Sequence, residues 1–471
     1  MAQIDILSGI YTNSASDFRT SYPQNLMVVP LQTGTSRGYL RPADGFVSYG
    51  ASLGVDRGGI NWRGVCYRVM GTKFVSINSA GVITVIGDVG GLGNNTGQCT
   101  LDYSFDRLGI SAGGRLYYYD GATLTQVTDA DLGAVIDFLW VDGYFMTTDG
   151  SFLVVTELND PYSVDPLKYG SSEVDPDPIV GLQKLRDEIY SVNRYSIEVY
   201  QNVGGTGFPF QRIPGAMLQR GAVGTYASAV FLENIAFLGG GRNEPPAIWL
   251  GSNGSSINIS TREIDQILAT YPETQLATAV LETRIDSSQK LLYVHLLDRT
   301  LVYDGAASQL LQKPIWTVLT TSVTGLGAYR ARNFVWCYEK WSVGDVQGAY
   351  YGYATDTIST HFGIAIGWEF GTSIIYNEGN GALFHELELL CLTGRVAVGV
   401  NPTVWTSYTV DGLTWSQEKS RSLGKTGETL KRITWYQQGF MRNWRCQKFR
   451  GNSDALLTIS ALSMKLEALN A

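Results

Sequence analysis

Residues 257–309, INISTREIDQILATYPETQLATAVLETRIDSSQKLLYVHLLDRTLVYDGAASQ, contain one short helical pattern followed by strand patterns. Ser260 and Glu263 have the spacing of a capping box, in which two side chains satisfy free N–H groups at a helix start. Ile264 and Leu268 then place apolar groups on one helix face. After Pro272 the sequence reads as three consecutive strands. We therefore expect one amphipathic helix near residues 260–270, inserted into a chain of strands.

Length and composition indicate an all-β protein of more than one module. The 471 residues exceed one ordinary hydrophobic core. The 54 Gly, 27 Tyr and 11 Trp, with only 17% charged residues, are typical of β-rich proteins with many tight turns. The apolar runs are strand-sized, so no integral membrane segment is predicted, and no secretory signal is visible. Five scattered cysteines are interpreted as buried hydrophobes of a protein synthesised in a reducing cytoplasm.

Groups of four short strands, separated by Gly-bearing turns, recur along residues 45–363. Their spacing of roughly 35–55 residues is close to that of one four-stranded propeller blade. We predict a β-propeller of about seven blades, or six if the N-terminal group does not close a full blade. No strict repeat signature is present, so a pair of stacked β-sandwiches is kept as the alternative fold.

Two segments outside these groups differ in character. Residues 1–44 contain Pro23, Pro30 and Pro42 and predict an extended, irregular arm, which either packs across the propeller or contacts another subunit. Residues 364–471 contain longer strands with polar–apolar alternation, which predict a β-sandwich-like domain.

The C-terminal segment contains the main charge asymmetry that we identify in the sequence. Between Trp415 and Arg450, nine Lys and Arg residues face only Glu418 and Glu428, a net of +7 in a chain of net charge −8, which leaves −15 for the rest. Aromatic residues are interleaved with these cations. Three readings stay open: docking to an acidic protein surface, a solvated strand face, and direct contact with DNA. The net acidity of the chain disfavours the last.

Sequence features of enzymes are few, and we predict neither an enzyme nor a metal or cofactor site. His295, His361 and His385 lie far apart, without metal-ligand spacing. Glu386 and Glu388 share one strand face at a separation that suits an inverting glycosidase, but nothing else in the sequence supports that reading, and a solvated strand face is strongly favoured. Residues 409–415 are similar to the Asp-box hairpin of sialidase-type propellers, with one residue missing between Asp and Gly.

Several motifs resemble one protein family. They are Ile-Trp-Leu-Gly-Ser at 248–252, the capped helix, Leu-Glu-Thr-Arg at 281–284 followed by Asp286, Leu-Val-Tyr-Asp at 301–304, and Gly-Tyr-Leu-Arg-Pro at 38–42. In this order they resemble the packaged-DNA stabilisation proteins, the tail hub proteins of short-tailed bacteriophages. The Arg-rich C-terminal pattern, which ends in a Phe-bearing strand, is also similar to that family.

The resemblance implies a structural virion protein with a mechanical role. Such a subunit would form a hexameric ring below the portal and head-to-tail adaptor, help to retain packaged DNA, and line part of the ejection channel without sequence-specific DNA binding. It would also dock tailspikes or tail fibres and seat a tail needle or plug. The aromatic-rich blades and the Asp-box-like hairpin keep a carbohydrate-binding or glycan-hydrolysing propeller as the alternative.

The candidate interface residues come from the basic–aromatic stretch and from the N-terminal segment. We expect reversal of Arg442 and Arg445 to Glu to leave a folded monomer that no longer adds to the adaptor or to neighbouring subunits. The candidates are Tyr39, Arg41, Lys431, Arg432, Trp435, Arg442, Trp444, Arg445, Lys448 and Arg450.

Overall fold

The chain folds into a propeller of antiparallel sheets with an attached two-sheet sandwich. A computed structural model describes residues 2–7, 9–11, 20–31, 37–90, 96–158, 160–286, 288–452 and 457–469. Within these residues, seven sheets of four or five strands follow one another along the chain and form the blades. The prediction of an all-β fold with a propeller is therefore confirmed, with seven blades rather than six.

The first four blades each contain four consecutive strands, of which the first in sequence is the innermost and the last is the outermost. Blade 1 contains Asp56–Trp62, Val65–Met70, Lys73–Ile77 and Ile83–Asp88. Blade 2 contains Thr100–Tyr103, Leu108–Ala112, Arg115–Tyr119 and Leu124–Gln126. Blade 3 contains Asp137–Val141, Tyr144–Thr148, Phe152–Glu157 and Asp160–Ser171, and blade 4 contains Ile179–Leu185, Glu188–Asn193, Ile197–Asn202 and Phe210–Arg212.

The remaining blades depart from this scheme in two places. In blade 5 the inner position is shared by Gly221–Ala222 and Ser228–Phe231, followed by Asn234–Gly240, Ala247–Ser252 and Ser255–Asn258. Blade 6 contains Val280–Ile285, Lys290–His295, Thr300–Asp304 and Trp316–Leu319. Blade 7 contains Ala331–Cys337, Lys340–Asp345 and Tyr350–Thr355, and its outer strand is Gly45–Ala51 from the N-terminal part of the chain. This pairing closes the ring between the two ends of the propeller sequence.

Hydrophobic clusters fill the spaces between neighbouring blades. Trp62, Tyr67 and Phe74 of blade 1, for example, pack with Leu108 and Tyr119 of blade 2. Adjacent inner strands contact each other around the ring, including the strands of blades 7 and 1. Two-residue hairpins with positive φ connect several inner strands to the next, as at Asp142 (φ 50°) and Gly143 (φ 91°). Radial packing of this kind leaves only short strand edges exposed.

Helices are few and lie at blade connections. The predicted helix spans Arg262–Leu268, and a second turn of helix, Glu273–Leu276, follows Pro272; both lie between blades 5 and 6. Thr261, rather than Ser260, is the N-cap, because its Oγ1 accepts from the backbone N–H of Ile264 at 3.4 Å. Another helix, Gly305–Leu311, lies inside blade 6, and a 3-10 turn, Ala130–Leu132, precedes blade 3.

Two sheets enclose the core of the sandwich. The first contains Leu26–Pro30, Gly38–Pro42, Ile459–Ala468, Ala382–Cys391 and Ile433–Tyr436, with Ala2–Ile4 and Phe440–Met441 at its edges. The second contains Trp368–Gly371, Trp444–Gly451, Thr403–Thr409 and Lys419–Ser422, with Ile375–Tyr376 at its edge. A separate hairpin pairs Ile10–Tyr11 with Thr20–Ser21.

The expectation of an irregular N-terminal arm differs from the structure. Leu26–Pro30 and Gly38–Pro42 pair with each other in regular antiparallel register, and Leu40 pairs with Ile459 of the sandwich. The buried side chains of Leu26, Val28 and Leu40 belong to the sandwich core. Residues 12–19 and 32–36 of the expected arm lie outside the described residues. The division into domains 1–44, 45–363 and 364–471 stays a prediction. The structure adds that residues 1–44 supply strands to the sandwich formed by residues 364–471.

Candidate interaction surfaces

Asn25 joins the sandwich to blade 6 of the propeller. Its backbone N–H donates to the carbonyl of Val318 at 2.8 Å, and its side-chain oxygen accepts from the N–H of Thr320 at 2.9 Å. Its amide nitrogen donates to the carbonyl of Gly367 at 2.6 Å. Asn25 is buried and has a positive φ of 54°, a conformation that Asn tolerates better than most residues. One side chain thus fixes the N-terminal segment, blade 6 and the start of the sandwich together.

Arg41 binds within the chain, beside the same junction. Its guanidinium donates to Asp44 at 2.9 Å and to the side-chain oxygen of Gln289 of blade 6 at 2.8 Å. Asp44 also accepts from Arg284 at 2.7 Å. Burial raises the pKa of Asp44, but Arg284 and Arg41 outweigh it, so the net shift is below the ordinary value of 3.8. Arg41 therefore stabilises the propeller–sandwich junction, and Tyr39 lies half-buried two positions before it.

The motif residues at 281–286 serve the same junction and the neighbouring blade. Glu282 accepts from the backbone N–H of Phe334 in blade 7 at 2.9 Å and lies 2.5 Å from Nε2 of His295. Burial lowers the pKa of His295. Arg284 bridges Asp44 and Asp286, the latter at 2.9 Å. These residues are occupied in holding blades together, which explains why they form a recognisable motif without forming an active site.

Among the described residues, four of the nine cations of the basic stretch are paired with carboxylates. Arg432 binds Glu388 at 2.7 Å and Glu386 at 3.4 Å, so the carboxylate pair of the glycosidase alternative is neutralised by a guanidinium. Glu388 accordingly has a pKa below its ordinary value, with the Arg432 hydrogen bond as the main cause. Lys431 binds Glu428 at 3.1 Å. Glu386 and Glu388 lie outside the basic stretch and offset part of its net charge of +7, whereas Glu428 is already counted in that net charge.

Two cations on the second sheet, Arg450 and Lys448, are paired in the same way. Arg450 makes a two-pronged contact with Glu418, at 2.5 and 2.6 Å, and lies 5.0 Å from the ring centre of Trp405. Lys448 lies 3.6 Å from Glu369 and 4.4 Å from the ring centre of Trp415. The structure thus places Lys448 and Arg450 on one sheet and Arg432 beside the other.

Two candidate interface residues belong to the core instead. Arg445 has no exposed surface; its guanidinium donates to the carbonyl of Gln438 at 2.6 Å and to the side-chain oxygen of Gln447 at 2.8 Å. It also stacks 3.7 Å from the ring centre of Tyr408. Burial lowers its pKa to about 10. Trp435 is equally buried. The expectation that both contact partners is corrected: alternation along their strands points these side chains between the sheets.

The exposed part of the candidate set is small. Arg442 is exposed and has no carboxylate within 4.0 Å among the described residues. Trp444 is half-buried on the strand that pairs with Ile375–Tyr376. Nearby, Tyr376, Tyr436 and Phe440 are exposed to 57–60%. A role of these residues in contacts with partners stays a prediction.

The Asp-box-like segment is a hairpin turn. Asp411 accepts from the backbone N–H groups of Leu413 and Thr414 at 2.9 and 2.8 Å and from the hydroxyl of Thr409 at 2.9 Å. These bonds, led by that to the Thr414 side chain, lower the pKa of Asp411. The turn connects two strands of the sandwich and lies outside the propeller. It gives no support to a sialidase-like site.

A polar cavity of about 380 Å³ lies where the inner strands of the seven blades converge. Asp137 faces it and accepts from the Thr100 hydroxyl at 2.6 Å and from the backbone N–H of Leu182 at 2.8 Å. Burial raises the pKa of Asp137 to about 6. The cavity has the volume of a small-molecule pocket and cannot admit duplex DNA, whose major groove alone is about 12 Å wide.

Metal and membrane features are absent from the part of the chain that the structure describes. No group of three or more His, Cys, Asp or Glu side chains there has the arrangement of a metal site. No helix in the described ranges is long and apolar enough to cross a membrane.

Sequence reasoning missed a strongly acidic surface on blade 3. Residues 129–177 contain eleven Asp and Glu but only one cation, Lys168, a net of −10. The whole segment 45–363 contains 31 acidic and 21 basic residues, also a net of −10. All of the propeller's net charge therefore comes from this one blade and its connections. A running count of charges along the sequence would have found it.

The fold and these surfaces define the class: an all-β protein made of a seven-bladed propeller with an attached sandwich. Residues 2–359 match the family described as "Bacteriophage P22 Gp10, beta-propeller", and residues 367–467 match "Bacteriophage P22 Gp10, beta-sandwich". The chain belongs to this family. It is 27% identical, over 96% of each chain, to the tail hub protein gp10 of Salmonella phage P22. The predicted resemblance is therefore confirmed.

Solved structures with a similar outline are more distant. The Pan2 WD40 domain of Neurospora crassa has a TM-score of 0.41 and 10% identity, covering 66% of this chain and 94% of that chain. PorZ of Porphyromonas gingivalis has a TM-score of 0.40 and 11% identity, covering 68% and 38%. At these values neither structure adds to the family assignment.

Proposed function

We propose that this chain is a structural subunit of the tail hub of a short-tailed bacteriophage and is located in the virion. The observation that carries the proposal is the match to a tail hub protein over 96% of both chains, with the propeller and sandwich families in the same order. A relationship over the whole length, rather than over one domain, supports transfer of the overall role.

The finer proposal is a hexameric ring below the portal and head-to-tail adaptor. The ring helps to retain packaged DNA, forms part of the ejection channel, and docks tailspikes or fibres and a needle or plug. Interlocked blades and a junction fixed by Asn25, Arg41 and Asp44 suit a rigid mechanical part. DNA passes between subunits rather than along a propeller axis, because the central cavity encloses only about 380 Å³.

Charge also suits this role. DNA carries one negative charge per about 1.7 Å of duplex, and outside residues 129–177 the propeller has 20 acidic and 20 basic residues, so it has no net positive charge that would hold DNA. Among the described residues of the sandwich, four cations are paired with carboxylates: Lys431, Arg432, Lys448 and Arg450. Such surfaces favour passage of DNA without sequence-specific binding.

The proposal is tested by mixing the purified chain with portal–adaptor rings and sedimenting the mixture on a density gradient. The chain should co-sediment with the rings at a stoichiometry that corresponds to a hexamer, and filled particles should retain their DNA for longer. A chain that never associates with the rings, and that binds or cleaves glycans as a monomer, would contradict the proposal and restore the alternative.

A further inference from the structure

The acidic surface of blade 3 is mostly unpaired. Lys168 binds Glu157 at 2.7 Å and lies 4.0 Å from Asp165, and Arg242 binds Asp175 at 3.2 Å. Asp137 is buried. The seven other acidic residues have no cation within 4.0 Å among the described residues; they are Asp129, Asp131, Asp142, Asp149, Asp160, Glu173 and Asp177.

Exposed apolar side chains lie among these acids. The turn after the second strand of blade 3 contacts both flanking connections: Ile136 donates its N–H to Thr148, and Ile179 donates its N–H to Gly150, each at 2.9 Å. These bonds place Asp131, Asp149 and Glu173 at one end of the blade. Phe152 and Tyr169, 40% and 52% exposed, stack at 5.0 Å beside that end. An apolar centre with a charged rim is the composition of a protein interface. We call the surface formed by Asp131, Asp149, Phe152, Tyr169 and Glu173 the acidic blade face.

A surface of opposite charge lies on the sandwich. Two loops, 392–400 and 423–432, are joined by hydrogen bonds from Thr393 to the carbonyl of Glu428 at 2.9 Å and from Thr426 to the carbonyl of Val396 at 2.7 Å. They expose Val398 to 90% and Leu430 to 95%. The loops contain four cations and one carboxylate, Glu428. Lys431 binds Glu428 and Arg432 binds Glu388, so Arg395 and Lys425 are the cations of these loops without a carboxylate within 4.0 Å among the described residues. We call this pair of loops the basic loop pair.

The two surfaces cannot neutralise each other within one chain. The sandwich is attached to blade 6 by hydrogen bonds from Asn25 to Val318 and from Arg41 to Gln289. Blade 3 is separated from blade 6 by two blades in one direction and three in the other, so it lies across the ring. Among the described residues, no hydrogen bond or ion pair joins the acidic blade face to the basic loop pair.

We propose that the acidic blade face of one copy docks against the basic loop pair of the next copy, so that copies join head to tail. Charge complementarity between surfaces at opposite sides of one chain favours a second copy as the occupant, because each copy then offers one unsatisfied surface of each sign. A heterologous contact of this kind closes into a ring when the rotation allows it. The inference rests on the proposed ring and assigns its subunit interface.

Two charge-reversal variants test the interface. One changes Asp131 and Glu173 to Lys, and the other changes Arg395 and Lys425 to Glu; all four side chains are exposed, so folding should be retained. Sedimentation equilibrium over a concentration series should show each variant alone associating at least roughly tenfold more weakly than the native chain, since like charges then oppose each other. A one-to-one mixture should restore association, because each contact in an alternating ring again joins opposite charges.

A control variant changes Asp187, on blade 4, and Asp356, after blade 7, to Lys. Its net charge changes by the same amount as that of the variant at Asp131 and Glu173. It should associate as the native chain does. The interface is wrong if the native chain stays monomeric at every concentration, if both reversed variants associate normally, or if their mixture is no better than either alone. If both reversed variants add normally to portal–adaptor rings, the proposed interface is wrong but the proposed hub function stands. If the native chain itself fails to add to the rings, the proposed hub function is wrong.

Discussion

Arg445 lies in the interior of the sandwich, whereas Arg442, three residues earlier, lies in solvent. Both belong to one run of cations and aromatics, and composition alone does not separate them. Arg445 is on a strand between two sheets, where its guanidinium is satisfied by Gln438, Gln447 and the face of Tyr408. Burial of a charge is tolerated only with such partners.

Substitution of Arg445 by Glu should unfold or strongly destabilise the sandwich. The carboxylate would face the carbonyl of Gln438 and the side-chain oxygen of Gln447 with no donor to replace the guanidinium. We expect a loss of about 3–5 kcal/mol in the free energy of unfolding, as for other broken buried charge networks. Denaturant unfolding followed by tryptophan fluorescence measures it.

The matched control is Arg442→Glu, which should change the free energy of unfolding by less than about 0.5 kcal/mol, as is usual at exposed sites. Equal stability of the two variants would mean that Arg445 is not buried as described. The earlier expectation that reversal of both arginines leaves a folded monomer is therefore replaced: only Arg442 is suitable for testing contacts with partners.

At the scale of the element, the outer strand of blade 7 decides whether the propeller closes. Gly45–Ala51 pairs with Tyr350–Thr355, and a register shift falls between Tyr351 and Gly352. The chain crosses itself closely there, since a Cβ added at Gly352 would overlap the backbone carbonyl of Val47. The last blade thus depends on a strand that lies some 300 residues away in sequence.

Substitution of Gly352 by Ala should weaken this closure. The added methyl has backbone on one side and cannot be accommodated by a change of side-chain rotamer, so a loss of about 1–3 kcal/mol is expected, as for overpacked sites. Gly207→Ala is the control, because nothing lies within 4 Å of its added Cβ. Thermal unfolding should separate the two variants, and equal melting temperatures would argue against the closure.

The strands of blades 1 to 3 and the helix after blade 5 were predictable because each is specified locally. Alternating apolar residues and Gly-bearing turns specify strands, and the spacing of Ile264 and Leu268 specifies the helix. The cap was predicted one residue too early, at Ser260 instead of Thr261. Ser260 is bound to Asp265 and Asn258 instead, and capping-box spacing alone does not distinguish adjacent hydroxyl residues.

At the scale of the molecule, the N-terminal segment is part of the sandwich and also starts the propeller. Leu26 and Leu40 are fully buried in the sandwich core, and Gly45–Ala51 completes blade 7 only a few residues later. The two parts of the protein are therefore linked through the first fifty residues as well as through the connection near Gly367.

Substitution of Leu40 by Ala tests this arrangement. Truncation of a fully buried leucine in a packed core should lower the free energy of unfolding by about 2–5 kcal/mol. Truncation of a residue in a loose arm would change it little. Leu31→Ala, at a side chain that is 40% exposed, is the control. Hydrogen exchange of the strands 459–468 and 382–391 should increase in the Leu40 variant. Unchanged protection of those strands would show that the sandwich does not depend on the N-terminal segment.

The sequence by itself determined the all-β class, the propeller repeats, the position of the inserted helix and the protein family, because hydrophobic period, turn residues and short motifs are local signals. The tertiary structure alone decided that residues 26–42 belong to the sandwich, that Arg445 and Trp435 are core residues, and that Lys431, Arg432, Lys448 and Arg450 of the basic stretch pair with carboxylates. These properties depend on which strands become neighbours, and pairing between strands hundreds of residues apart leaves no periodic trace in the sequence.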